Sequence, residues 1–100
     1  MKTLKDTIEF MDSEDYRYRF VAEYWQLRIR YEKLRSFNRR IEAAVRTMHS
    51  DPSVKVDMPK HECPDILLLD QEDIMLRYLN LLEQRAIIEK IDLNIQPDKA

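Results

Sequence analysis

The chain has 100 residues, a formal net charge of −2, one cysteine and no glycine. That length suits one small domain; the charge disfavours a general polyanion binder; and Cys63 alone cannot build a disulfide framework, which fits a reducing cytoplasm. About seven glycines would be usual, and without them phosphate-cradling loops and dinucleotide fingerprints lose the residue that takes positive φ freely. Helices have no such need.

Residues 1–13 place Leu4, Ile8 and Met11 at i, i+4, i+7, the spacing of a short amphipathic helix. They contain no signal-peptide apolar core, and no run in the chain approaches the ~18 apolar residues of a membrane span. Asp12 and Ser13 are good cap residues, with Glu14 and Asp15 placing negative charge in the turn that follows.

A long helix is predicted over about 14–48, which holds neither proline nor glycine. Phe20, Leu27, Leu34, Ile41 and Met48 fall seven apart, and Tyr24, Tyr31, Asn38 and Val45 fill the alternate seam position. Such a stripe, sustained for four heptads, needs a partner along its length. Asn38 within it predicts a polar residue that fixes register or subunit number at some cost in stability.

Pro52, Pro59 and Pro64 break residues 49–64 into a connector, in which Val54, Val56 and Met58 alternate with polar residues. A second helix is predicted over about 65–92. Its apolar residues go most of the way round, beyond the ~100° arc that one neighbouring helix covers. Self-association or burial on a partner protein is therefore expected. Residues 14–48 carry nine basic and five acidic residues, and 64–96 carry three and seven, so opposed charge favours pairing the two helices. The expected fold is all-α: one domain, a long antiparallel two-helix hairpin with a proline-containing connector, assembled as a homo-oligomer.

His61 and Cys63, with His49 and Glu62 nearby, fall short of the three or four convergent ligands zinc requires. No nucleophile–base arrangement or H-E-x-x-H motif is present, so neither metal, cofactor nor catalysis is expected. Binding chemistry is more legible. Arg28, Arg35, Arg39 and Arg46 share one side of the first helix, beside Tyr24, Trp25 and Tyr31. Guanidinium forks match phosphates and aromatic faces stack on bases; alternatively the arginines pair with acids of the second helix and the tyrosines are core. Gln71, Tyr78 and Arg85 share a stripe of the second helix, where Arg85 requires an anion, either a carboxylate such as Glu32 or Glu89 or a ligand phosphate.

The segments Tyr24-Trp25-Gln26-Leu27, Met58-Pro59-Lys60-His61-x-Cys63-Pro64 and Tyr78-Leu79-x-x-Leu82-x-x-Arg85-Ala86-x-Ile88-Glu89 resemble a group of small phage proteins, including ones from crAss-like phages, over residues 20–93. The plan and size are similar to the hairpin domain of phage anti-CBASS and anti-Thoeris sponges, which oligomerise and sequester nucleotide messengers of bacterial immunity. The resemblance implies an anti-defence protein in the host cytoplasm. Such a protein would hold a cyclic or ADP-ribose-type nucleotide between helices of neighbouring subunits, without turnover. Trp25, Arg28, Arg35, Lys60, His61 and Arg85 are the expected ligand-binding residues. The alternative is a protein–protein inhibitor or adaptor docking on a host enzyme; a nucleic-acid-binding dimer is disfavoured by the net charge.

Overall fold

The computed structural model describes residues 1–95, and among them every regular element is helical. A 3-10 turn, Leu4–Thr7, runs into α1 (Ile8–Met11); α2 (Tyr16–Ser50) and α3 (Asp65–Glu89) follow. The short amphipathic segment expected within residues 1–13 is present as the 3-10 turn and α1, ahead of the two long helices. At 1.5 Å per residue α2 is about 52 Å long, close to the 56 Å longest dimension of the molecule.

The cap of α2 is Asp15, not Asp12 or Ser13. Its side chain accepts from the Arg17 backbone N–H at 3.0 Å, while Ser13 Oγ accepts from the Asp15 N–H at 3.0 Å. The Arg17 guanidinium, with that backbone bond, holds the Asp15 carboxyl below its ordinary range. Glu14 and Asp15 thus precede the first turn of α2, which contains no acid.

Contacts between α2 and α3 run in opposite directions along the two helices. Tyr16 meets Glu89 near one end, Tyr24 Oη donates to Glu83 at 2.7 Å further along, and Asn38 reaches Leu68 and Glu72 beyond that. The inward seam of α3 is Leu68, Glu72, Met75, Leu79, Leu82 and Ala86, spaced four and three. Phe20, Val21, Ala22 and Tyr24 join Leu79, Leu82 and Ala86 in the core cluster. Each large apolar side chain buried there contributes about 1.5–3 kcal/mol. Val45 and Met48, expected on the α2 seam, are exposed because that helix continues past the start of α3.

Helix α3 stops at Glu89, short of the expected 92. Lys90 adopts the left-handed conformation, φ 58°, and the Lys90 and Ile91 N–H groups both donate to the Ala86 carbonyl. That reversal turns Ile91 into the core, with Leu93 and Ile95 packed against it. Trp25 fastens the returning chain: its indole N–H donates to the Leu93 carbonyl at 2.6 Å.

The N-terminal arm is tied to α2 by Thr7, buried to 1% exposure. Its hydroxyl donates to the Leu4 carbonyl at 2.7 Å and accepts from Gln26 Nε2 at 3.0 Å. Phe10 is buried beside Tyr18, with ring centroids 4.9 Å apart. Among the described residues no helix is long and apolar enough to cross a membrane.

Candidate functional site

Helix α2 presents three different flanks. One faces α3, a second is covered by the N-terminal arm and the returning chain after Lys90, and the third stays open beyond the arm. On this third flank lies a groove of about 400 Å³, lined by Lys2, Ile29, Glu32, Lys33, Ser36, Phe37 and Arg40. Small-molecule sites usually occupy roughly 300–1,000 Å³.

Its electrostatics favour an anion. Lys2, Lys33 and Arg40 have no ion-pair partner among the described residues, and the one acid, Glu32, is taken by Arg28 at 3.1 Å. Phe37 offers a ring face and Ser36 a hydroxyl.

Two other depressions fit less well. One of about 340 Å³ is lined by Asn38, Ile41, Glu42, Val45, Arg46, Asp65 and Leu69, with two acids against one arginine. The other, about 180 Å³, lies between Arg17, Tyr18, Val21 and the chain at Lys90–Asp92. The first offers one cation without an ion pair among the described residues, Arg46, against three in the basic groove, and the second is small.

The six residues expected to bind ligand are not gathered in one place. Arg28 lies 4.8 Å over the Trp25 ring and donates to Glu32 and to the Tyr24 hydroxyl. Arg85 pairs with Glu89 at 3.1 Å, donates to the Tyr16 hydroxyl and stacks 4.9 Å over Phe20. Of the carboxylates open to Arg85 on sequence grounds, Glu32 and Glu89, the structure pairs it with Glu89. Arg35 and Lys60 are exposed and without an ion pair among the described residues. His61 touches the groove: its ring stands edge-on to Phe37, with centroids 5.8 Å apart.

That histidine also braces the connector. Its Nδ1 meets the Cys63 carbonyl at 2.8 Å and its Nε2 meets Asp65 at 2.9 Å, so it bridges the loop to the first residue of α3. Cys63 itself is exposed, and no group of three or more metal-ligating side chains lies together among the described residues.

Asn38 lies on the seam between α2 and α3. It is 2% exposed and its amide donates to the Leu68 carbonyl at 3.1 Å and to Glu72 Oε1 at 2.9 Å. Arg39 completes the network by binding both Glu72 and Glu42. The asparagine therefore joins two helices of one chain. Arg39 is the one member of the arginine stripe with an ion pair to α3; Arg46 has no ion pair among the described residues.

None of the groove residues was expected from the sequence; Lys33, Phe37 and Arg40 carry a signal that could have found them, a spacing of four and three along one helix face. Lys2 carries no such signal, because only the fold of the arm places it there.

The family model of Sequestin matches residues 14–88, three quarters of the chain. The chain belongs to the Sequestin family. The name denotes sequestration, a binding role rather than a catalytic one. The Sequestin match spans α2, the connector and nearly all of α3; the arm that supplies Lys2 lies outside it. No curated protein and no solved structure matches the chain.

Proposed function

We propose that this Sequestin sequesters a phosphate-bearing nucleotide of cyclic or ADP-ribose type, without turning it over, as a phage-encoded anti-defence protein in the host cytoplasm. The observation that carries the ligand class is the groove in which Lys2, Lys33 and Arg40 stand unpaired around Phe37. The cations hold phosphate, Phe37 stacks the base, and His61 limits the motion of that ring. Arg35 and Lys60 remain available for further phosphate contacts. Arg28, stacked on Trp25, keeps Glu32 occupied so that it does not compete for the cations. Self-association through the apolar outer face of α3 belongs to the same proposal.

Titration calorimetry with ADP-ribose, its cyclic form and cyclic dinucleotides tests the assignment. A hydrogen bond to a charged group is worth about 1.5–3 kcal/mol, so Lys33→Glu with Arg40→Glu should weaken binding at least about 100-fold at unchanged helicity. Equal binding by the parent and this double variant would refute the groove. In a second reading the protein is an inhibitor or adaptor docking on a host enzyme; Ile87 and Ile88, each 78% exposed, favour it.

A further inference from the structure

Near the start of α3, helix α2 presents two adjacent rows of side chains to the depression of about 340 Å³. Ile41 and Val45, four apart, form an apolar row, and Leu69 of α3 adds a third apolar side chain. Asn38, Glu42 and Arg46, also four apart, form a polar row beside it.

The polar row has unspent hydrogen-bonding capacity at both ends. At the inner end Asn38 is 2% exposed, and its amide nitrogen gives its hydrogens to α3, to the Leu68 carbonyl and to Glu72. Its Oδ1 accepts no hydrogen bond among the described residues. No buried side-chain oxygen or nitrogen among those residues is sealed off without a partner, so this acceptor opens onto the groove that Asn38 lines. At the outer end Arg46 has no ion pair among the described residues. The two acids of the groove are engaged: Glu42 holds Arg39 at 2.7 Å and Asp65 holds His61 at 2.9 Å.

We infer that this groove binds a small amphipathic monocarboxylate whose far end carries an N–H or O–H donor, an indole-type acid being the simplest example. The carboxylate meets Arg46, the ring system lies on Ile41, Val45 and Leu69, and the ring N–H donates to Asn38 Oδ1. Asn38 and Arg46 are about 12 Å apart along the helix axis. A long side chain on a helix leans back toward the N-terminus, so the span between the two polar ends shortens to that of a bicyclic ring with a short acid tail. A simple fatty acid brings no donor and leaves the asparagine oxygen unmatched. A nucleotide brings more negative charge than one arginine neutralises beside two carboxylates. The site is separate from the basic groove of Lys2, Lys33 and Arg40, and the inference does not rest on the nucleotide reading.

Titration calorimetry and methyl NMR of the full chain with indolepropionate test it, beside two controls. Phenylpropionate lacks the N–H, and indolepropanol lacks the charge. Indolepropionate should bind saturably and shift the methyl signals of Ile41, Val45 and Leu69 while that of Ile29, in the basic groove, stays put. Each control should bind at least about 10-fold more weakly. Arg46→Gln, at an exposed position, should cost the acid about 10-fold and leave the alcohol unchanged. Lys33→Glu with Arg40→Glu should leave both unchanged. No saturable binding, or shifts confined to other methyl groups, overturns the site. Phenylpropionate binding as tightly as the indole acid, or an Arg46→Gln variant that binds the acid like the parent, overturns the ligand class.

Discussion

Replacing Asn38 by leucine distinguishes a seam asparagine from a structural clamp. The amide is buried and gives two hydrogen bonds, one to a carbonyl and one to the Glu72 carboxylate, whose side chain is only 13% exposed. A neutral bond is worth about 0.5–1.5 kcal/mol and one to a charged group about 1.5–3. Leucine is of similar size and regains part of this through apolar burial. The net expectation is a loss of about 2 kcal/mol, lowering Tm by roughly 8–16 °C in a domain of this size. Adding Glu72→Leu removes the stranded acceptor, and the Arg39 guanidinium keeps Glu42 at 2.7 Å. The double variant should therefore recover to within about 1 kcal/mol of the parent. Urea and thermal unfolding followed by circular dichroism, at one fixed protein concentration, measure the cycle. A single Asn38→Leu variant more stable than the parent, or a cycle with no coupling, would refute the clamp.

Lys90→Gly should stabilise by about 0.5–1 kcal/mol, since a left-handed side-chain-bearing residue costs about 1–2 kcal/mol and glycine returns part of that gain as entropy of the unfolded chain. A lower Tm for this variant would contradict the αL reversal. The Tyr24 hydroxyl is held protonated above its ordinary 10.0, by burial first and by Glu83 second; Glu23, ahead of burial, does the same for Tyr78. The folded state thus keeps these protons at a pH where the unfolded chain releases them, so their stabilisation is complete below about pH 10 and declines as pH rises through the raised folded values. Tyr24→Phe should flatten the decline in unfolding free energy between about pH 9 and 11; an unchanged slope would assign the decline to other groups.

The α2 seam was readable because its polar and apolar residues alternate cleanly; Phe20, Tyr24 and Ile41 are buried where the heptad puts them. Helix α3 resisted the same treatment. It is apolar on nearly every side, so periodicity could not choose between the arc of Leu68, Met75, Leu79 and Leu82 and the arc of Tyr78 and Arg85. Packing chose the former. The site was legible only as chemistry, basic and aromatic residues on the first helix. The expected flank, Arg28 and Arg39, turned out to spend its charge on Glu32, Glu42 and Glu72. Among the described residues, unspent charge remains at Arg35 and Arg46 on that flank and, around the helix, at Lys33 and Arg40, a distribution set by which acids the folded chain brings within reach.

Trp25 is the sole tryptophan, and its indole N–H is bonded to the carbonyl of Leu93, 68 residues away. Release of the chain after Lys90 would break that bond and admit water to the ring, so intrinsic emission is a label-free gauge of whether the terminal segment is seated. The cation above the same ring, Arg28, grips Glu32 on the groove wall. A nucleotide that drew Arg28 away would alter the quenching of this one fluorophore without moving the backbone. A single emission spectrum therefore senses two distant regions, and its red shift and its intensity separate them.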